Sequence, residues 1–375
     1  MSESRSLIEL NARSVAFALR QIAFERNLLR LGGSSSTDTN SNVYQQSASA
    51  FSEEATESFE RQAVTAIGFN TKRNTVFVYT SKKVLKSQEK ALPFNVSGSV
   101  KVVYRQLKPL TITDTAALDV LGSEPYSLYG NRYACGSSIS PGNVRSAGTL
   151  GAIVEDAEGV RYGLTNNHVT GGCNNTRVDL PIVAPGIMDV QVGFHDPFTA
   201  GWHHSVLPMR QGDPSALISG VNALAENTDA ALFRLNPNAR ISSHQGSFYA
   251  TPTSVLDPEE DMLVEKVGRT TGHTKGRIES EVAGALPVTY KTTAWHSPQE
   301  STSFQGQVFF EPVFLIRGEG GPFSMPGDSG SLVVTQETDG KRSAIGLVFA
   351  GREPDTSYML PLRRILDGFA VRLVG

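Results

Sequence analysis

A serine flanked by glycines, in Met325-Pro326-Gly327-Asp328-Ser329-Gly330-Ser331, precedes the apolar run Leu332-Val333-Val334. Glycines on both sides allow a tight turn, and a tight turn can aim backbone NH groups at one point beside the hydroxyl. Those are the two parts that attack on a carbonyl requires: a nucleophile, and donors to hold the oxyanion that forms. A hydroxyl is a weak nucleophile at neutral pH, so a base must lie near it. His168 fits, since Leu164-Thr165-Asn166-Asn167-His168-Val169 follows the strand-like Arg161-Tyr162-Gly163-Leu164 and precedes the small-residue turn Thr170-Gly171-Gly172. At such a rim an imidazole stays wet enough to exchange protons. Asp229 opens the apolar, strand-length run Ala230-Ala231-Leu232-Phe233-Arg234-Leu235. A carboxylate there can be partly buried yet hydrogen-bonded, which suits a group that orients an imidazole through its second NH. Asp189, Asp196 and Asp213 are further acids, but none opens a comparable strand.

Taken in chain order, His168, Asp229 and Ser329 resemble the trypsin/chymotrypsin-like serine peptidases over roughly residues 128–375. Three further segments carry the resemblance. Ala147 to Val154 looks like the opening strand of a first barrel, and Val267-Gly268-Arg269-Thr270-Thr271-Gly272-His273 looks like a hairpin of a second. Ala344 to Gly351 looks like the strand that pairs with substrate. The resemblance implies a catalytic triad of these three residues, with backbone NH groups of Gly327 and Ser329 as the oxyanion hole. It implies substrate contacts from Phe323, Val348, Phe349, Ala350 and Gly351. No aspartate occurs in Gly320-Gly321-Pro322-Phe323-Ser324, and Val348 stands where glutamate-specific relatives place a histidine. An ionised P1 side chain would therefore be buried unpaired, so an apolar P1 is expected. Family zymogens activate when a new N-terminal amine reaches the position of Asp328. This chain has no Ile-Val-Gly-Gly-type segment before Ala147, so Asp328 is expected to find another partner. The resemblance also leaves a bridge between Cys135 and Cys173 open.

Composition sets limits. Lys+Arg number 34 and Asp+Glu 37, a net charge of −3, and no large basic field points to nucleic acid. Only two cysteines occur, which fits a reducing compartment better than a secreted, disulfide-stapled chain. No uninterrupted apolar run is long enough for a membrane span, and Arg13, Arg20 and Glu25 interrupt the N-terminal apolar positions. A cytoplasmic protein is expected, with no cofactor and no metal. His203-His204 reads as a loop pair and His273 as a turn residue.

The elements that must hold the three residues follow from periodicity. Ser6 to Leu31 reads as an amphipathic helix closed by Gly32-Gly33, whose stripe packs on its own chain or on a partner or second copy. Ser34 to Ser49 reads as a polar linker. A helix (Glu53 to Gln62), strands (Val64 to Phe69, Thr75 to Thr80), a helix (Lys82 to Ala91) and a strand (Gly98 to Leu107) follow, a sheet with helices on one face. Pro361 to Phe369 reads as a closing helix with Ile365, Leu366 and Phe369 inward.

The expected fold is mainly β: a two-barrel chymotrypsin-like peptidase domain at 126–375, preceded by a helix and linker at 1–50 and a small α+β domain at 51–125. The expected function is a serine endopeptidase acting on a protein or peptide substrate, regulated by its N-terminal region or a partner. An α/β-hydrolase esterase places histidine last and follows its serine with a helix, which this chain does not. A latent or non-catalytic scaffold of the same fold is the other reading.

Overall fold

In the C-terminal half, six strands run in the order Leu263–Gly268, Leu332–Gln336, Arg342–Arg352, Thr356–Pro361, Phe314–Gly318 and Gly272–Val282, and the first pairs again with the last. That second pairing closes a barrel. Val264, Ile278, Ile316, Val333 and Met359, drawn from five of its strands, form one buried cluster. The computed structural model describes residues 10–29, 41–51, 53–90, 92–113, 126–190, 197–212, 226–337, 340–352 and 356–375.

The first half of the peptidase-like region forms an eight-stranded sheet that runs from Arg372–Leu373 through Ala152–Glu155, Arg161–Thr165, Ala231–Leu235 and Phe198–Val206 to Gly148–Thr149. It curls as a half-barrel against the closed one. The fold is thus mainly β and two-barrelled in the chymotrypsin-like manner, with the expected helix Leu362–Phe369 burying Leu362, Ile365 and Leu366 at its end.

The N-terminal region is built into the same framework. Strand Val64–Asn70 pairs with Gly272–Val282 of the closed barrel, Gly68 lying opposite Val282. In Thr75–Thr80 every residue is buried, because the two faces serve two cores. Val76 and Val78 face the helices with Val15, Leu19 and Ile22, while Phe77 and Tyr79 join Leu286, Val288 and Leu315. The period of two in the sequence is therefore a sandwich of helix, sheet and barrel.

Local readings differ in three places. The first helix spans Ala12–Glu25, capped by the Asn11 side chain, and buries its stripe on the chain's own sheet. The polar stretch read as a linker holds a helix, Ser41–Ala50, because Val43 inserts into the helix-side core; residues 34–40 lie outside the described residues. The helix expected over Lys82 to Ala91 shrinks to Lys86–Glu89: Leu85 is exposed, so no apolar stripe supports more turns.

Candidate active site

Strand register brings histidine and aspartate together. Arg161–Thr165 and Ala231–Leu235 run antiparallel with Thr165 opposite Ala231, so the chain beyond Thr165 lies beside the chain before Ala231. His168 and Asp229 occupy those overhangs. The His168 Nδ1 is 2.5 Å from Asp229 Oδ2, and the His168 backbone NH donates to Asp229 Oδ1 at 3.0 Å. The two asparagines before the histidine fix this turn. Asn166 donates to the Asp229 carbonyl at 2.6 Å, and Asn167 donates to Asn174 Oδ1 at 2.7 Å and to the Leu207 carbonyl at 3.0 Å.

Ser329 comes from the other barrel and shares a cleft with His168. Its turn needs glycine, since Gly327 has φ +99° and Gly330 φ +95°, and a Cβ at either would collide with a neighbouring threonine hydroxyl. Strand Gly148–Thr149 of the first barrel clamps the turn: Thr149 NH donates to the Ser329 carbonyl at 2.9 Å, and Thr149 Oγ1 donates to the Gly327 carbonyl at 2.9 Å. Among the described residues, the Gly327 and Ser329 NH groups donate to no acceptor. The Ser329 hydroxyl donates to the Phe349 carbonyl at 3.3 Å rather than to His168.

Asp328 is fully buried and accepts from Thr270 NH (2.7 Å), Thr271 NH (3.2 Å), Thr271 Oγ1 (2.7 Å) and Met325 NH (2.9 Å). Its ionic partner is Lys266 Nζ at 3.4 Å, also fully buried. Burial pushes the Lys266 ammonium below the ordinary lysine value while the Asp328 charge opposes that shift. The partner missing from the sequence reading is thus a lysine from Leu263–Gly268. Arg269, next along the hairpin, pairs instead with Asp189 and ties the two barrels together. Asp196 and Asp213 lie outside the described residues.

Phe349, Ala350 and Gly351 line the cleft. Phe323 and Val348 do not: both are fully buried in the closed-barrel cluster behind it, because their side chains face inward between the strands. The cleft also has a wall that sequence reasoning missed, the strand Leu110–Thr113 of the N-terminal region. A second missed residue is Tyr290, whose hydroxyl donates to Asp229 Oδ2 at 2.9 Å. The signal was present. Leu286, Val288, Tyr290, Thr292 and Ala294 alternate as the buried face of Leu286–Ser297, and an inward tyrosine needs a polar partner.

His203, His204 and His273 lie in strands rather than in a loop or turn. His203 is buried in Phe198–Val206, where burial lowers it to about 4, and His273 Nε2 is 2.6 Å from Glu265 Oε2. No disulfide joins Cys135 and Cys173, and burial raises the Cys135 thiol to about 12. No helix among the described residues is long and apolar enough to cross a membrane.

No protein-family model matches the chain, and no curated protein does. Solved bacterial proteases overlap part of it. The Nocardiopsis protease NAPase is 17% identical with a TM-score of 0.39, covering 64% of this chain and 98% of its own. Thermobifida fusca Protease A is 15% identical with a TM-score of 0.38, covering 64% and 98%. The Cellulomonas bogoriensis chymotrypsin is 16% identical with a TM-score of 0.38, covering 64% and 97%.

Proposed function

We propose that this chain is a serine endopeptidase that cleaves a protein substrate through an acyl-enzyme on Ser329. The observation that carries the reading is the 2.5 Å His168–Asp229 contact in a cleft shared with a glycine-flanked serine. The Ser329 hydroxyl turns from the Phe349 carbonyl to His168 Nε2, which takes its proton as the oxygen attacks the scissile carbonyl. Asp229 stabilises the imidazolium, and the NH groups of Gly327 and Ser329 hold the oxyanion. His168 then passes its proton to the leaving amine, and a water repeats the sequence to free the acid.

The same geometry narrows the substrate. A Cβ on Gly351 would collide with both the hydroxyl and the carbonyl of Ser324, so these two segments leave no slot for a bulky P1 side chain. Alanine, glycine or serine at P1 needs no such slot, and the expected apolar P1 narrows to a small one. The N-terminal region governs access, because Leu110–Thr113 forms one wall of the cleft.

The Ser329–Phe349 hydrogen bond favours one second reading, a latent scaffold whose serine is parked. A fluorophosphonate probe separates them. Labelling of Ser329 in the full chain, abolished in Ser329→Ala and His168→Ala, supports the peptidase; no labelling supports the scaffold. In a peptide panel, kcat/KM for alanine at P1 is expected to exceed that for leucine, phenylalanine, lysine or glutamate by at least about tenfold. Preference for leucine or phenylalanine would refute the closed slot.

A further inference from the structure

Tyr290 is fully buried, and its hydroxyl reaches the same Asp229 oxygen that faces His168 Nδ1. Its ring centroid lies 5.8 Å from that of His168, tilted by 50°. Each Asp229 oxygen therefore has its donors assigned. Oδ1 takes the His168 backbone NH, and Oδ2 takes Tyr290 OH and the imidazole. Without the phenol, Oδ2 keeps the imidazole alone and the carboxylate can swing about its remaining anchor.

Tyr290 is itself held by pairing. Strand Leu110–Thr113 runs parallel to Leu286–Ser297, with Ile112 opposite Tyr290 and Thr111 opposite Thr289. The phenol ring also meets Phe310 and Phe304 edge-on, at 6.1 and 6.4 Å. One strand of the N-terminal region thus touches the cleft and braces the residue behind its carboxylate.

We propose that Tyr290 is a positioning residue for the Asp229–His168 pair, and that Leu110–Thr113 holds it there, making the N-terminal region a working part of the catalytic centre. This rests on the peptidase reading above. Burial and the neighbouring Asp229 charge raise the phenol well above the ordinary tyrosine value, so the hydroxyl stays a donor across the working pH range.

The test is a double-mutant cycle on the full chain, read by the fluorophosphonate labelling rate of Ser329 and by kcat and KM on a peptide with alanine at P1. Tyr290→Phe keeps the ring packing and is expected to lower the labelling rate and kcat about 10- to 100-fold with KM within about twofold. In an Asp229→Asn background the same substitution is expected to change either rate by less than about twofold, since the acceptor is already lost. Ile112→Ala is expected to slow labelling severalfold in the wild type but not in Tyr290→Phe. A wild type that labels while Tyr290→Phe matches it, or effects that multiply in the double variant, overturns the proposal and leaves the peptidase reading standing. A wild type that does not label overturns both. Thermal unfolding of each variant checks that the fold persists. Should a double variant not fold, the low-field His168 Nδ1 proton resonance decides between the outcomes: its loss in Tyr290→Phe supports the proposal, and its persistence there overturns it.

Discussion

Replacing Asp229 with asparagine is expected to lower kcat by about 10⁴-fold while leaving the fold intact. The size follows from donors facing donors. Asp229 accepts from His168 NH at 3.0 Å on one oxygen, and from Tyr290 OH at 2.9 Å on the oxygen that also lies 2.5 Å from His168 Nδ1. A carboxamide has only one acceptor oxygen to offer these groups. If its oxygen stays with the His168 backbone NH, its NH₂ faces Nδ1 and selects the imidazole tautomer that carries hydrogen on Nε2. That tautomer cannot take a proton from Ser329. If the amide flips, its NH₂ meets the backbone NH, and the turn that holds His168 is pushed apart. Neither arrangement gives a base. The residual rate is expected to come from oxyanion donors and binding alone. Steady-state kinetics on an alanine-P1 peptide, with thermal unfolding as control, check this. A kcat within tenfold of wild type would remove Asp229 from the mechanism.

Much of this site was legible because its residues sit at fixed offsets from strands. His168 follows Thr165 and Asp229 precedes Ala231, so once those two strands pair, the side chains must meet. The serine turn announced itself by its glycines, each of which adopts a positive φ that other residues resist. What the sequence hid depends on contacts between distant segments. Tyr290 is one inward position among several in an alternating strand, and only the packing of the barrels reveals which acceptor it meets. Ile112 reaches the cleft through a parallel pairing with residues far along the chain, which no local pattern encodes. The resemblance points Phe323 and Val348 at the substrate, yet side-chain direction sends both into the core. The helix Ser41–Ala50 escaped notice because its apolar contacts are few: Val43 is buried, while most of its neighbours are small or polar.

The second large effect concerns the charge beneath the serine turn, where Lys266→Met is expected to cost about 3–5 kcal/mol of stability. Lys266 Nζ donates to Thr271 Oγ1 at 2.5 Å and to the Gly272 carbonyl at 3.0 Å, and lies 3.4 Å from Asp328 Oδ2. Both charged side chains are fully shielded from water. Methionine preserves most of the volume, so the loss measures charge rather than a cavity. What remains is a buried carboxylate held by neutral donors alone, which is costly in a dry interior. Because Asp328 lies between Gly327 and Ser329, any shift it makes moves the two NH groups proposed to hold the oxyanion, and Ser329 labelling is expected to slow as well. In zymogens of the family that the sequence resembles, a new N-terminal amine reaches this carboxylate, but no Ile-Val-Gly-Gly-type segment precedes Ala147 to supply one. Here an ammonium from the strand Leu263–Gly268 stands beside the carboxylate. Denaturant unfolding of Lys266→Met, Asp328→Asn and the double variant distinguishes the contributions. Each single change is expected to destabilise, and the double variant is expected to recover part of the loss because no unpaired charge is left inside. Full stability and an unchanged labelling rate in Lys266→Met would mean that four dipolar donors suffice for Asp328, and the lysine would then have no part in shaping the turn.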